Sequence, residues 1–152
     1  MKKLVFYCLL LGGLLMMHTR IHAQLRTLPS AVTDSFKTRY PTATQVSWSD
    51  KLSYWQVGFY LGSDALTAKF RNTGEYQSAM KKIAQTNLPA EVQDGFSKSL
   101  YADGDWTVST VVVLYLPGDV TQYAVQVEKS SLQKKNLLFN SKGRLIKENA
   151  AL

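Results

Sequence analysis

The chain has 152 residues, carries a formal net charge of +7, and contains only one cysteine and two histidines. Its first 23 residues have the layout of a secretory signal peptide: a basic start, a leucine-rich apolar run and a cleavage motif ending at Ala23. Cleavage there removes Cys8, His18 and His22. The mature chain then has no means of forming disulfides, Cys or Ser–His nucleophiles, or zinc and haem sites built on Cys or His.

What remains after cleavage is the size of one ordinary domain, since 152 minus 23 leaves 129 residues. Lys2, Lys3 and Arg20 leave with the signal, so the charge falls from +7 to +4. The apolar run of the signal is shorter than the roughly 20 residues of a membrane span. We therefore predict a periplasmic or secreted protein without a stable membrane span. Nucleic acid is not expected as a partner, because the basic doublets fall in separate parts of the chain.

One pattern occurs twice along the chain. A Leu-Pro pair followed by three apolar residues at spacings of four predicts a helix with one apolar stripe. An aromatic-x3-glycine element then follows the strands of each copy. The first copy comprises Leu28, Pro29, Val32, Phe36, Tyr40, Phe70 and Gly74; the second comprises Leu88, Pro89, Val92, Phe96, Leu100, Phe139 and Gly143. We predict two repeats, 24–84 and 85–152, within one compact domain.

The first repeat opens with a helix that Pro29 begins and Pro41 ends. Strands follow around Trp48, from Tyr54 to Leu61, and from Leu66 to Phe70, each with period-two alternation. The segment 75–83 is compatible with a strand or a short helix, and comparison with the second repeat favours a strand.

The second repeat has the same order. Its helix is predicted from Leu88 to about Tyr101, before the stop at 103–105. A long strand, 106–116, ends at Pro117-Gly118, and 121–128 pairs back against it. Two further strands flank Gly143. The first hairpin is longer than its counterpart in the first repeat and is expected to project.

The short connections require antiparallel pairing, because parallel crossovers need a dozen or more residues. We therefore predict an α+β, two-layer domain with two helices packed on one face of a sheet of about eight strands. The other sheet face is left open to solvent, as antiparallel sheets permit.

The open face is the predicted binding surface. Period-two alternation predicts that it carries aromatic, amide and basic side chains, a composition typical of binding hot spots. The predicted partner-binding residues are Tyr54, Gln56, Tyr60, Lys69, Arg71 and Tyr115, with Thr67, Val113, Gln122 and Gln126 beside them. A purely structural role is the competing interpretation, because tyrosine is favoured in strands on either face.

The remaining candidates for chemistry have structural interpretations. Trp48, Trp55 and Trp106 each lie on an alternating apolar pattern and are predicted to be core residues. Asp103 and Asp105 could serve a Ca²⁺ ion or acid catalysis, but Asp-Gly-Asp is also a helix-stopping turn, which we favour. We predict no catalytic residue, no cofactor and no metal.

Several of these motifs resemble those of the PepSY-like family of small exported bacterial proteins, which is also described as beta-lactamase-inhibitor-like. They are the Leu-Pro-x2-Val-x3-Phe-x3-Tyr-Pro opening, Val46-Ser47-Trp48, Tyr54 to Phe59, and Phe70 followed by Gly74. The resemblance runs over both repeats. It implies a tandem helix-plus-four-strand fold with a sheet face that can bind an enzyme, and it carries over no catalytic residue. The second repeat departs from the pattern at 100–102 and in its longer hairpin.

Together these observations predict an exported, non-enzymatic binding protein whose partner is a protein of the cell envelope, such as an enzyme that it inhibits or modulates. Tyr54, Tyr60 and Tyr115 would be anchors, with Lys69 and Arg71 as a polar rim. A module for envelope polysaccharide or peptidoglycan is the main alternative and predicts exposed tryptophan. A carboxylate hydrolase with a cleft at Asp103 and Asp105, or a purely structural envelope role, also stays open.

Overall fold

The computed structural model describes residues 26–150, so the predicted signal peptide and its cleavage site lie outside the described residues. Helix and four strands follow one another twice along this part of the chain. The elements are α1 (Ser30–Arg39), β1 (Thr44–Asp50), β2 (Trp55–Leu61), β3 (Asp64–Phe70), β4 (Tyr76–Ile83), a short 3₁₀ turn (Gln85–Asn87), α2 (Ala90–Ser97), β5 (Thr107–Leu116), β6 (Val120–Ser130), β7 (Gln133–Asn140) and β8 (Leu145–Ala150).

The strands form one antiparallel sheet in which each strand pairs with its neighbours in the chain, from β1 at one edge to β8 at the other. The predicted α+β class, with two helices and an eight-stranded sheet, is confirmed. Segment 75–83 is a strand, as comparison of the two repeats indicated. The division of the domain between residues 84 and 85 stays a prediction.

The first helix follows its sequence pattern closely. Pro29 lies just before it with an extended backbone, and the helix ends one residue short of Tyr40. Val32 and Phe36 are buried on the sheet, and Tyr40 packs against the same cluster. Lys37 lies in the last turn, where a positive charge interacts favourably with the helix dipole.

The second helix is shorter than its pattern predicts. It ends at Ser97, and the chain then passes through turns to β5. The prediction that Leu100 completes the apolar stripe is wrong: its side chain is 90% exposed, because it lies beyond the last helical turn. Tyr101 packs on the second core cluster in its place, with its ring 5.0 Å from that of Trp106 in an edge-on arrangement.

One sheet face and the two helices enclose the hydrophobic core, which forms one cluster under each helix. Trp55 is buried in the first cluster, and Trp48 packs against it edge-on to Phe36, with ring centroids 5.3 Å apart. Trp106 packs against the second cluster. The prediction that the three tryptophans belong to the core is confirmed, and the helix-free face of the sheet therefore carries none of them.

The two aromatic-x3-glycine elements place a hairpin turn against a helix. Gly74 and Gly143 both have a positive φ, of 86° and 74°, which glycine adopts without strain. A Cβ atom at Gly74 would overlap the carbonyl of Ala31, and one at Gly143 would overlap the carbonyl of Glu91. Glycine is therefore required at both positions, where the backbone of a turn touches the first turn of a helix.

Candidate functional site: the open face of the sheet

The open face can be mapped strand by strand from the pairing register, because residues directly opposite one another in an antiparallel pair share a face. In β2 and β3, the pair Val57–Ala68 is buried against the helices, whereas Gln56–Lys69 and Tyr60–Ala65 face the other way. Gln56, Tyr60 and Lys69 thus lie on the open face, and Tyr60 is 38% exposed.

Tyr54 and Arg71 lie at the border of this face. Tyr54 directly precedes β2, and the Nζ atom of Lys69 stands 5.2 Å from the centre of its ring. Arg71 follows the last residue of β3, is more than half exposed and pairs with Glu75 at 3.4 Å. Tyr54 and Arg71 line a common shallow groove of about 380 Å³. Five of the six predicted site residues therefore lie on the open face or at its border, although their role as partner contacts stays a prediction.

The sixth predicted residue, Tyr115, lies on the opposite face, and its placement on the open face is wrong. It pairs with Ala79, which is fully buried, and it packs against the first core cluster. Its carbonyl oxygen accepts a hydrogen bond of 2.8 Å from the hydroxyl of Tyr76. The prediction that Val113 lies on the open face is wrong too, because this residue faces the helices and is only 7% exposed. The reason is that 111–116 is apolar throughout, so alternation alone does not show which residues face the helices.

The tip of the β5–β6 hairpin lies on the helix side rather than beside the open face. It lines a groove of about 570 Å³ with the end of α1, and the residues lining it include Arg39, Tyr115 and Asp119. The guanidinium of Arg39 stands 3.8 Å from the ring centre of Tyr76. Burial is the largest cause that raises the pKa of the Tyr76 hydroxyl far above its usual range. This groove has charges of both signs on its walls.

The middle of the open face is apolar, which sequence reasoning missed. Met80 lies opposite Leu114, and Val112 lies opposite Ala124, which in turn lies opposite Leu138. These five residues, hereafter the apolar centre, come from four neighbouring strands and are all half-buried. The available signal was the uninterrupted apolar run of β5, which indicates a strand with apolar side chains on both faces.

Amide and charged side chains surround the apolar centre on the side of the second repeat. Gln122 and Gln126 lie on the open face opposite Asn140 and Asn136. Glu128 also lies on this face and pairs with Lys134 at 3.3 Å. An apolar centre with a polar rim is the usual anatomy of a protein–protein interface.

Asp103 and Asp105 do not form a joint carboxylate site. Asp105 is exposed and pairs with Lys129 at 2.8 Å, and that hydrogen bond lowers the pKa of its carboxyl. Asp103 lines a groove of about 440 Å³ beside α2, to which Asp105 does not contribute. Within residues 26–150, no group of three or more His, Cys, Asp or Glu side chains could hold a metal ion.

A family model with the description "Putative beta-lactamase-inhibitor-like, PepSY-like" matches residues 53–147. The chain belongs to this family. The match includes β2, β3 and β4 of the first repeat and nearly all of the second, so the open face lies almost entirely within it. Among curated proteins, none matches the chain.

Solved structures of Bacteroides proteins share the fold. A BLIP-like protein from Bacteroides fragilis is 28% identical, with a TM-score of 0.75 over 83% of this chain and 89% of that one. A DUF2874 family protein from Bacteroides uniformis is 26% identical, with a TM-score of 0.72 over 80% and 88%. A third, from Bacteroides eggerthii and described as "putative periplasmic proteins", is 24% identical, with a TM-score of 0.71 over 82% and 90%. Neither helix of the described residues is long and apolar enough to span a membrane.

Proposed function

We propose that this chain is an exported, non-enzymatic binding protein that holds a protein of the cell envelope on its open sheet face. The observation that carries the proposal is the apolar centre, because apolar side chains on an uncovered sheet face gain free energy when a partner removes them from water. The inhibitor-like description of the family supports a protein as the partner. The mode of action would be steric occlusion of an envelope enzyme.

A binding role without catalysis fits the residue types that the chain offers from residue 24 onward. The sequence from residue 24 onward has no histidine or cysteine, and nucleophilic catalysis commonly depends on one of them. Asp103 and Asp105, the close carboxylate pair of the sequence, have separate surroundings. The leader-like first 23 residues support export to the periplasm or beyond.

A module for envelope polysaccharide or peptidoglycan is less well supported. Such modules stack sugars on exposed aromatic rings, and the three tryptophans pack against the core clusters. Tyr54 and Tyr60 are the aromatic residues on the open face that favour this second candidate. A glycan ligand would depend on these two tyrosines and not on the aliphatic residues of the apolar centre.

The proposal can be tested by affinity capture from an envelope extract of the bacterium that encodes the chain. Three columns would carry the wild-type chain, an open-face variant with Met80→Ser and Leu114→Ser, and a control with Lys37→Ser on α1 and Lys98→Ser just after α2. We expect a protein retained by the wild type and the control and lost from the open-face variant. Equal retention on all three columns would contradict the proposal. Circular dichroism would confirm beforehand that all three chains fold.

A further inference from the structure

We propose that the partner presents an acidic protein surface around an apolar contact, because the open face combines the apolar centre with cations that have no carboxylate beside them. This inference rests on the proposed function and adds to it the chemistry of the partner. It depends on the position of individual charges on the sheet and not on the net charge of the chain.

The arrangement is clearest along one row of directly opposed residues that crosses five strands. Lys82 on β4 lies opposite Val112, Val112 opposite Ala124, Ala124 opposite Leu138, and Leu138 opposite Lys147 on β8. Four steps between strands, at roughly 4.8 Å each, put the two lysine Cα atoms about 19 Å apart. A lysine therefore stands at each end of the row, with apolar side chains between them.

A third cation completes the pattern on the first repeat. Lys69 lies on the open face beside Tyr54, one strand before Met80. Within residues 26–150, neither Lys69, Lys82 nor Lys147 has a carboxylate oxygen within 4.0 Å of its ammonium group. Most other charges of the strands are compensated by partners, as in the pairs Lys81–Asp64 and Lys135–Glu148 of the helix side.

Negative charge on the open face is scarce. Among the strand residues between 26 and 150, Glu128 is the carboxylate on this face, and Lys134 already holds it at 3.3 Å. The uncompensated charge around the apolar centre is therefore positive. Complementary potentials steer association and raise its rate, so the fitting partner carries Asp and Glu around its contact patch.

A protein fits these features better than a nucleic acid or an anionic glycan. The cations stand apart with aliphatic side chains between them, whereas binding of a polyanion requires a continuous run of basic groups. Val112, Leu114 and Leu138 offer no flat ring on which a base or a sugar could stack. The aliphatic side chains need a partner that buries apolar surface of its own.

The test uses the captured protein, identified by mass spectrometry and purified, with binding measured against four forms of the full chain. These are the wild type, the apolar variant Met80→Ser/Leu114→Ser, a charge variant Lys69→Glu/Lys82→Glu/Lys147→Glu, and a control Lys37→Glu/Lys98→Glu/Lys142→Glu. The charge variant and the control change the net charge equally, and each control lysine is exposed and outside the open face. Thermal unfolding would show that all four forms fold.

We expect an acidic partner whose Kd for the charge variant is at least tenfold higher than for wild type, with a change below threefold for the control. The association rate with wild type should fall as NaCl rises from 50 to 500 mM. Loss of binding in the apolar variant without a selective loss in the charge variant would overturn this inference and leave the proposed function standing. Unchanged binding in both open-face variants would overturn this inference and the proposed function. The same holds if the captured material survives protease treatment of the extract but is lost after glycosidase or nuclease treatment.

Discussion

Met80 and Leu114 lie directly opposite each other on β4 and β5, with both side chains on the open face of the sheet. One belongs to the last strand of the first predicted repeat and the other to the first strand of the second. The apolar centre therefore spans the junction between the repeats, and a partner seated on it would touch strands of both. Neither repeat alone would present the whole surface.

This register predicts an energetic coupling between the two residues. Directly opposed apolar pairs contribute about 0.2–1 kcal/mol beyond their separate effects. A double-mutant cycle with Met80→Ala and Leu114→Ala, followed by urea unfolding, should give a coupling in that range. The matched cycle with Met80→Ala and Leu138→Ala should give a coupling near zero, since three strand steps separate these residues. Equal couplings in the two cycles would contradict the register.

Gly143 should tolerate alanine much less well than Gly118, although both have a φ of 74°. Alanine at Gly118 meets open space and bears only the cost of the left-handed backbone, about 1–2 kcal/mol. Alanine at Gly143 must also displace the carbonyl of Glu91, so we expect a total loss of about 2–5 kcal/mol. Denaturant unfolding of the two variants measures the difference, and similar losses would argue against the close approach of turn and helix.

Leu100 and Phe96 occupy successive positions of the sequence stripe but differ in burial. Phe96 is 9% exposed in the second core cluster, whereas Leu100 is 90% exposed. We expect Phe96→Ala to lower the free energy of unfolding by about 3–5 kcal/mol. Leu100→Ala should change it by no more than about 0.5 kcal/mol, as is usual for exposed positions. A large loss for Leu100→Ala would contradict the exposure of this side chain.

The carboxyl of Glu148 should give the protein a pH-dependent contribution to stability. The ammonium of Lys135, at 2.8 Å, and the hydroxyl of Tyr101, at 2.5 Å, donate hydrogen bonds to one carboxylate oxygen and lower the pKa of Glu148 below 4.5. A folded-state pKa below the unfolded one stabilises the protein above about pH 4.5, and the contribution is lost as pH falls through the folded pKa.

The stability difference between wild type and Glu148→Gln should therefore be larger at pH 7 than at pH 3. Urea unfolding at the two pH values measures it. Lys135→Met removes the hydrogen bond that contributes most to lowering the pKa of Glu148. In that background, the pH dependence of the Glu148→Gln effect on stability should therefore be smaller. An equal effect at both pH values in the wild-type background would contradict the assignment.

The sequence was sufficient to predict the fold wherever two signals agreed. Pro29 and Pro41 bound the stripe from Val32 to Tyr40, and the expected helix forms between them over Ser30–Arg39. The stripe of the second repeat lacks a proline after Leu100, so the sequence does not place the end of its helix and wrongly predicts Leu100 on the apolar stripe. The glycines of the two hairpin turns were recognised from their recurrence, but the contact with the helix required the three-dimensional structure.

The candidate site was predictable only where the strands alternate. In β2, alternating apolar and polar residues place Gln56 and Tyr60 on the open face without ambiguity. In β5, Val111 to Leu116 are all apolar, so a choice between the faces needs the pairing with Ala79 and Met80 on β4. That pairing shows that Tyr115 lies on the helix side and Leu114 on the open face.

Site-specific photo-crosslinking in living cells of the source organism tests whether the open sheet face is the surface that contacts the partner. A photo-crosslinking amino acid would replace Leu114 on the open face in one strain and Lys98, an exposed residue directly after α2, in another. We expect a crosslinked protein adduct from position 114 and none from position 98. An adduct from position 98 without one from position 114 would contradict this expectation.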